Sequence, residues 1–126
     1  AGAVAVFGHH PHILQGIEHY KDGAILYSLG NFTFGSYSRQ AQVSAVAELT
    51  FDGRRLATLR LYPINVNNVE VEFQPKPLIG ADAARVVEEL RALSAALNTE
   101  IVNDAGTALL RLPAATARRV GPAAVR

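Results

Sequence analysis

Apolar residues in the first quarter of the chain come in short unbroken runs, whereas those of the middle alternate with polar ones. Ala3-Val4-Ala5-Val6 is such a run and reads as a buried strand. Ile13 to Tyr20 and Ala24 to Leu29 are two further β-prone segments, joined by Lys21-Asp22-Gly23. Asp-Gly between apolar segments predicts a hairpin, with glycine taking the positive φ of the turn. Ala24 to Leu29 lacks alternation, which predicts a strand buried on both faces and ending at Gly30-Asn31-Phe32.

From Gln42 the alternation is clean. Val43, Ala45, Ala47, Leu49 and Phe51 share one face, opposite Gln42, Ser44, Glu48 and Thr50. Asp52-Gly53 turns the chain, and Leu56 to Ile64 returns with Leu59 and Leu61 inside against Thr58 and Arg60. Asn67-Asn68 marks another turn, after which Val69, Val71 and Phe73 alternate with Glu70 and Glu72 as a further strand. This is the pattern of an antiparallel meander with one wet face, ended by Pro75 and Pro77. Gly80-Ala81-Asp82 then opens a helix, with Asp82 at the N-cap or in the first turn. Val86, Leu90, Leu93 and Leu97 form its apolar stripe, Glu88 and Arg91 an ion pair, and Asn98 a left-handed stop. A short strand beginning at Glu100-Ile101-Val102 and a last one from Gly106 to Leu112 complete an α+β fold of mostly antiparallel strands plus one long helix. Residues 1–112 are read as one domain portion and 113–126 as a frayed tail.

Composition narrows the class of protein. A chain of 126 residues, 49% hydrophobic, suits one globular unit. Its net charge of +1 is spread along the chain, so no nucleic-acid partner is expected; Arg118, Arg119 and Arg126 make only a slightly basic tail. Cysteine is absent, which excludes a disulfide framework and thiolate chemistry. No apolar run approaches the roughly 18 residues of a membrane span. Methionine is absent too, so Ala1 is not an unprocessed start, and the chain reads as the downstream part of a larger protein.

Three of the four histidines lie in Gly8-His9-His10-Pro11-His12, directly after the first apolar run. Proline biases the residue before it towards extended backbone. Side chains two apart in an extended chain share a side at about 6–7 Å, so His10 and His12 are expected on one face and His9 on the other. Paired imidazoles at a strand end suit a divalent transition metal, but two ligands do not complete a site. Glu18, His19, Asp22, Asn31 and Asp52 are the other donors nearby, and their spacing marks no ligand set. Asn31 reads either as a turn residue or as a group reaching into a site.

The stretch Gly8-His9-His10-Pro11-His12-Ile13-Leu14-Gln15-Gly16-Ile17-Glu18, followed by Ile25-Leu26-Tyr27-Ser28-Leu29-Gly30-Asn31-Phe32-Thr33-Phe34, resembles the C-terminal part of the bacterial capsule-synthesis family known as CapA. That family is associated with poly-γ-glutamate capsule and export, and is similar to the calcineurin-like metallophosphoesterases. The resemblance implies that residues 1–112 are the C-terminal portion of an α/β/β/α sandwich. It implies His10 and His12 as ligands, around Pro11, matching the family's Gly-His-x-His motif, with His9 as the less favoured third. It also features Asn31 as a catalytic group and Glu18 as a group that holds an imidazole tautomer. The upstream Asp-x-His, Gly-Asp and Asn-His segments of that superfamily do not occur here. The remaining ligands are therefore expected from a missing N-terminal half of the same domain, completing a pair of divalent ions (Mn, Zn or Fe).

On this reading the full-length protein is a metal-dependent hydrolase at the cell envelope or outside the cytoplasm, acting on poly-γ-glutamate or a phosphorylated substrate, and this chain alone is inactive. The alternative is a non-catalytic scaffold or polymer-handling protein, for which Arg54, Arg55 and Arg60 offer a small cationic patch. A third reading is a β-rich module whose histidine cluster is incidental.

Overall fold

Two adjacent parallel strands end on the same side of the molecule, and the loops that follow them carry the candidate residues. In the computed structural model, which describes residues 2–35 and 38–112, β1 (Ala5–Phe7) lies parallel to β3 (Gly23–Leu26). β2 (Ile17–Tyr20) runs antiparallel on the other side of β3. Tyr20 pairs with Gly23, leaving Lys21 and Asp22 as the turn. Lys21, not Gly23, takes the positive φ, at 55°. Gly23 is required for another reason: a Cβ there would sit 2.3 Å from the Val4 carbonyl oxygen of the neighbouring segment. The segment after the turn buries Ala24, Leu26 and Ser28, but Ile25 is half-buried and Tyr27 exposed, so the expected burial on both faces is not met.

The second sheet is built on β4 (Val43–Asp52) and β5 (Arg55–Asn65), paired antiparallel along their length around Gly53. A bulge between Thr50 and Phe51 breaks the expected alternation, and Phe51 turns out to solvent. β8 (Thr107–Arg111) pairs with β5, and β7 (Val102–Asp104) pairs with β8 through a turn in which Ala105 and Gly106 both have positive φ.

Val69 to Phe73 does not form the expected strand. Asn67 caps a one-turn helix, α1 (Asn68–Val71), by accepting from the Val69 amide, and Glu72 and Phe73 then adopt left-handed backbone. Only the edge pair β6 (Lys76–Pro77) returns to β5, in a position where proline is tolerated.

The long helix α2 (Gly80–Ala95) buries Ala83, Val86, Val87, Leu90 and Ser94 against both sheets. Complete burial of side chains such as Leu90 and Val87 is worth about 1.5–3 kcal/mol each. Leu93 is off this stripe and 39% exposed; Ser94 takes the place the spacing gave to it. Ile79 precedes the helix without a side-chain cap, Asp82 lies in the first turn bonded to Arg85, and Asn98 takes the left-handed φ of 54°. The architecture is α+β, mostly antiparallel, with one main helix. The tail from Pro113 onwards lies outside the described residues.

Candidate metal centre

Strand ends decide where the histidines go. The loop after β1 and the loop after β3 leave side by side and are laced together by backbone hydrogen bonds. The Gly8 amide donates to the Leu26 carbonyl at 2.8 Å, the Leu29 amide to the Gly8 carbonyl at 3.0 Å, and the Gln15 amide to the Ser28 carbonyl at 3.0 Å. Such close approach needs glycine: a Cβ on Gly8 would stand 2.1 Å from the Tyr27 carbonyl oxygen. Gly30, with φ of 80°, lies against β4 in the same way, where a Cβ would meet Ser44 Oγ at 2.4 Å. The segment Gly30 to Phe34 is thus a strap seated on the second sheet and facing the histidine corner.

The corner itself is not extended. The His12 amide donates to the His9 carbonyl at 2.9 Å, closing a turn with His10 and Pro11 at its tip, and His12 adopts a left-handed φ of 61°. The expected geometry, with His10 and His12 on one side of an extended segment, is therefore replaced by a turn. The hydrogen bond between His12 and His9 spans Pro11 and bends the segment within four residues.

Both flanking rings are tied to the strap. His9 Nδ1 donates to the Gly30 carbonyl oxygen at 3.2 Å, and His12 Nδ1 donates to Asn31 Oδ1 at 2.7 Å. Because each acceptor is an oxygen, both rings donate from Nδ1, and the neutral tautomer that does so carries its lone pair on Nε2. The His12 ring also stacks on Phe34, with centroids 4.9 Å apart and planes 28° from parallel. Among the described residues His10, exposed at the tip, has no hydrogen-bond partner for its ring. Asn31 is buried, and its Nδ2 has no partner.

Other residues singled out by sequence lie apart from this pair. Glu18 accepts from the Tyr27 hydroxyl at 2.6 Å, which raises the phenol's pKa above its ordinary value. His19 sits in β2 with its amide donating to Thr99 Oγ1 at 2.8 Å. Asp52 ends β4 at the far hairpin. Asp22 lies in the β2–β3 turn, beside a cleft of about 450 Å³ that none of the loop histidines lines. Arg60 is bonded to Asp104 at 2.7 Å and to Thr107 Oγ1 at 2.6 Å, so it is committed within the second sheet.

Among the described residues, no three His, Cys, Asp or Glu side chains come together as a metal cluster. Two imidazoles that both donate from Nδ1 leave Nε2 as the ring nitrogen that could meet a divalent metal such as Zn, Mn or Fe, and they would supply only part of the ligands such an ion needs.

Residues 1–36, which span β1, the histidine turn and the strap, match the model of a family described as bacterial capsule synthesis protein PGA_cap. The chain is 40% identical over 91 residues to the capsule biosynthesis protein CapA of Bacillus anthracis, covering 71% of this chain and 21% of that protein. The chain belongs to the bacterial capsule-synthesis family. The PGA biosynthesis protein CapA of Bacillus subtilis (strain 168) is 35% identical over 78 residues, covering 62% of this chain and 20% of that protein. An uncharacterized protein of Sinorhizobium fredii, y4sH, is 30% identical over 163 residues, covering 89% of this chain and 34% of that protein. The chain therefore spans between a fifth and about a third of the length of these relatives.

Sequence reasoning found the histidine cluster and Asn31 but not the Gly30 carbonyl, the anchoring of His9, or Phe34. Gly8 was the available signal. β1 is not the buried strand its apolar run predicts, since Val6 and Phe7 are exposed; a glycine directly after a strand nevertheless points to close backbone approach, and that approach is what brings the strap to the histidines.

Proposed function

We propose that this chain supplies part of the ligand set of a divalent-metal hydrolytic centre in a CapA-like capsule protein, with His12 and His9 as its ligands. The observation that carries this reading is the matched anchoring of two imidazoles, through Nδ1, to the consecutive residues Gly30 and Asn31. An oxygen acceptor at Nδ1 fixes the tautomer that leaves Nε2 free, as at metal-bound histidines generally. His10, which the motif comparison favours, lacks that anchor and stands as the third candidate. Asn31 acts through His12 as the acceptor that fixes its ring.

When bound, the metal pair would polarise a phosphoryl or amide-type group and lower the pKa of its water towards about 7. The chain's own residues orient two ligands, and the two laced loops hold them in register. The remaining ligands belong to the N-terminal half of the domain, and poly-γ-glutamate or a phosphorylated compound at the cell envelope is the substrate class. The names of the Bacillus relatives support the capsule context. No helix among the described residues is long and apolar enough to cross a membrane.

The test is calorimetric titration of the full-length protein with Zn²⁺ or Mn²⁺, comparing His9→Ala, His10→Ala and His12→Ala. Loss of at least tenfold in affinity for His9→Ala and His12→Ala, with a smaller loss for His10→Ala, is expected. A largest loss at His10 would overturn the assignment of His9. Full capsule production by a His9→Ala/His12→Ala double variant would favour the non-catalytic scaffold instead.

A further inference from the structure

Phe34 has no evident place in the hydrophobic core. It is 62% exposed, yet its ring lies on the imidazole of His12, three residues along the strap from the Asn31 side chain that bonds the same imidazole. A single hydrogen bond at Nδ1 fixes the distance of a ring but leaves it free to swivel about the bond. A stacked neighbour fixes the plane. His12 has particular need of this, because its backbone is held in left-handed conformation at φ 61°, a region that non-glycine residues rarely occupy.

We propose that Phe34 is a positioning residue for His12, setting the plane of the imidazole so that Nε2 keeps one direction. The proposal rests on the reading of His12 as a metal ligand. Asn31 and Phe34 belong to one strap, and Gly30 of that strap holds His9. One segment after β3 therefore aims both imidazoles, with Phe34 as its outermost contact.

The experiment uses the full-length protein labelled with ¹³C at the histidine rings, with the His12 signal assigned from a His12→Gln variant. In the metal-free protein, Phe34→Leu is expected to remove the upfield ring-current shift of the His12 ring protons. In calorimetry with Zn²⁺ alone it is expected to weaken affinity roughly threefold to tenfold, the range of one aromatic contact. Phe34→Tyr keeps the stacked face and is expected to restore both readouts, which a general loss of folding would not allow. Unchanged His12 signals and unchanged Zn²⁺ affinity in Phe34→Leu would overturn the proposal, as would a Phe34→Tyr variant no better than Phe34→Leu. The His12→Gln variant tests the underlying reading separately. If it leaves Zn²⁺ affinity intact, the ligand assignment falls and the positioning role falls with it. If it abolishes binding while Phe34→Leu changes nothing, the positioning role alone falls.

Discussion

Substituting Gly8 by alanine is the sharpest test of how the two loops are held together. The added Cβ would lie 2.1 Å from the Tyr27 carbonyl oxygen and 3.0 Å from its carbon, whereas carbon and carbonyl oxygen rest about 3.3 Å apart. One backbone must withdraw by about 1 Å, because neither atom belongs to a flexible side chain. That withdrawal strains the Gly8 amide bond to the Leu26 carbonyl (2.8 Å) and the Leu29 amide bond to the Gly8 carbonyl (3.0 Å). Overpacking of this kind costs about 1–3 kcal/mol, and each lost hydrogen bond about 0.5–1.5 kcal/mol. The expected destabilisation is therefore about 2–6 kcal/mol. Gly53→Ala is the matched control: its φ is 59° but no atom lies within 4 Å of the added Cβ, so it carries only the left-handed strain of about 1–2 kcal/mol. Urea unfolding followed by circular dichroism, on the two variants and the parent, measures both. If Gly8→Ala lowers stability no more than Gly53→Ala, the close approach of the loops is not what the glycine is for.

Other outcomes follow from single contacts. Ser94→Ala removes the acceptor of the buried Ile17 amide, 3.0 Å from Ser94 Oγ, and is expected to cost about 1–3 kcal/mol in the same urea assay; a loss within error of zero would show the amide to be satisfied elsewhere. Tyr27 and Tyr62 donate to Glu18 and Glu48, and these hydrogen bonds raise both phenol pKa values above their ordinary one. Their small contribution to stability is thus present below the ordinary tyrosine range, about pH 10, and is lost as pH rises through the higher folded values. Tyrosinate absorbance should show a late component that Tyr27→Phe and Tyr62→Phe each diminish; a single transition at the ordinary position would contradict it. Asp104→Asn removes the charge facing Arg60 across 2.7 Å. The pair is partly exposed, so only a small loss of stability is expected, shrinking in high salt; an effect indifferent to salt would speak against an ionic origin.

Legibility in the sequence depended on whether a local pattern had a partner. The alternation from Ala45 to Leu49, and of Leu59 and Leu61, was readable because both strands of the hairpin carry it and a turn glycine joins them; Ser44, expected on the wet face, is buried where Gly30 lies against it. The same period in Val69 to Phe73 misled, since Asn67 caps a helical turn and no neighbouring strand claims the segment. On the helix, spacing selected Leu93 over Ser94. The serine wins the buried position because the Ile17 amide needs an acceptor there, a requirement set 77 residues away in the chain. The histidine corner shows the same limit. Residue types marked it, but which rings are anchored depends on the Gly30 carbonyl and on Asn31, and a carbonyl has no signature in sequence.

Ser94 and Thr99 have a consequence for growth of the smaller sheet. Their hydroxyls occupy the amides of Ile17 and His19, the outward-facing donors along the rim of β2. An unoccupied row of donors would recruit any passing extended chain; here that invitation is withdrawn on one flank. β1 carries no such cover among the described residues. Any additional strand joining this layer must therefore enter beside β1, so the flank open to growth is the one whose strand runs directly into the histidine turn.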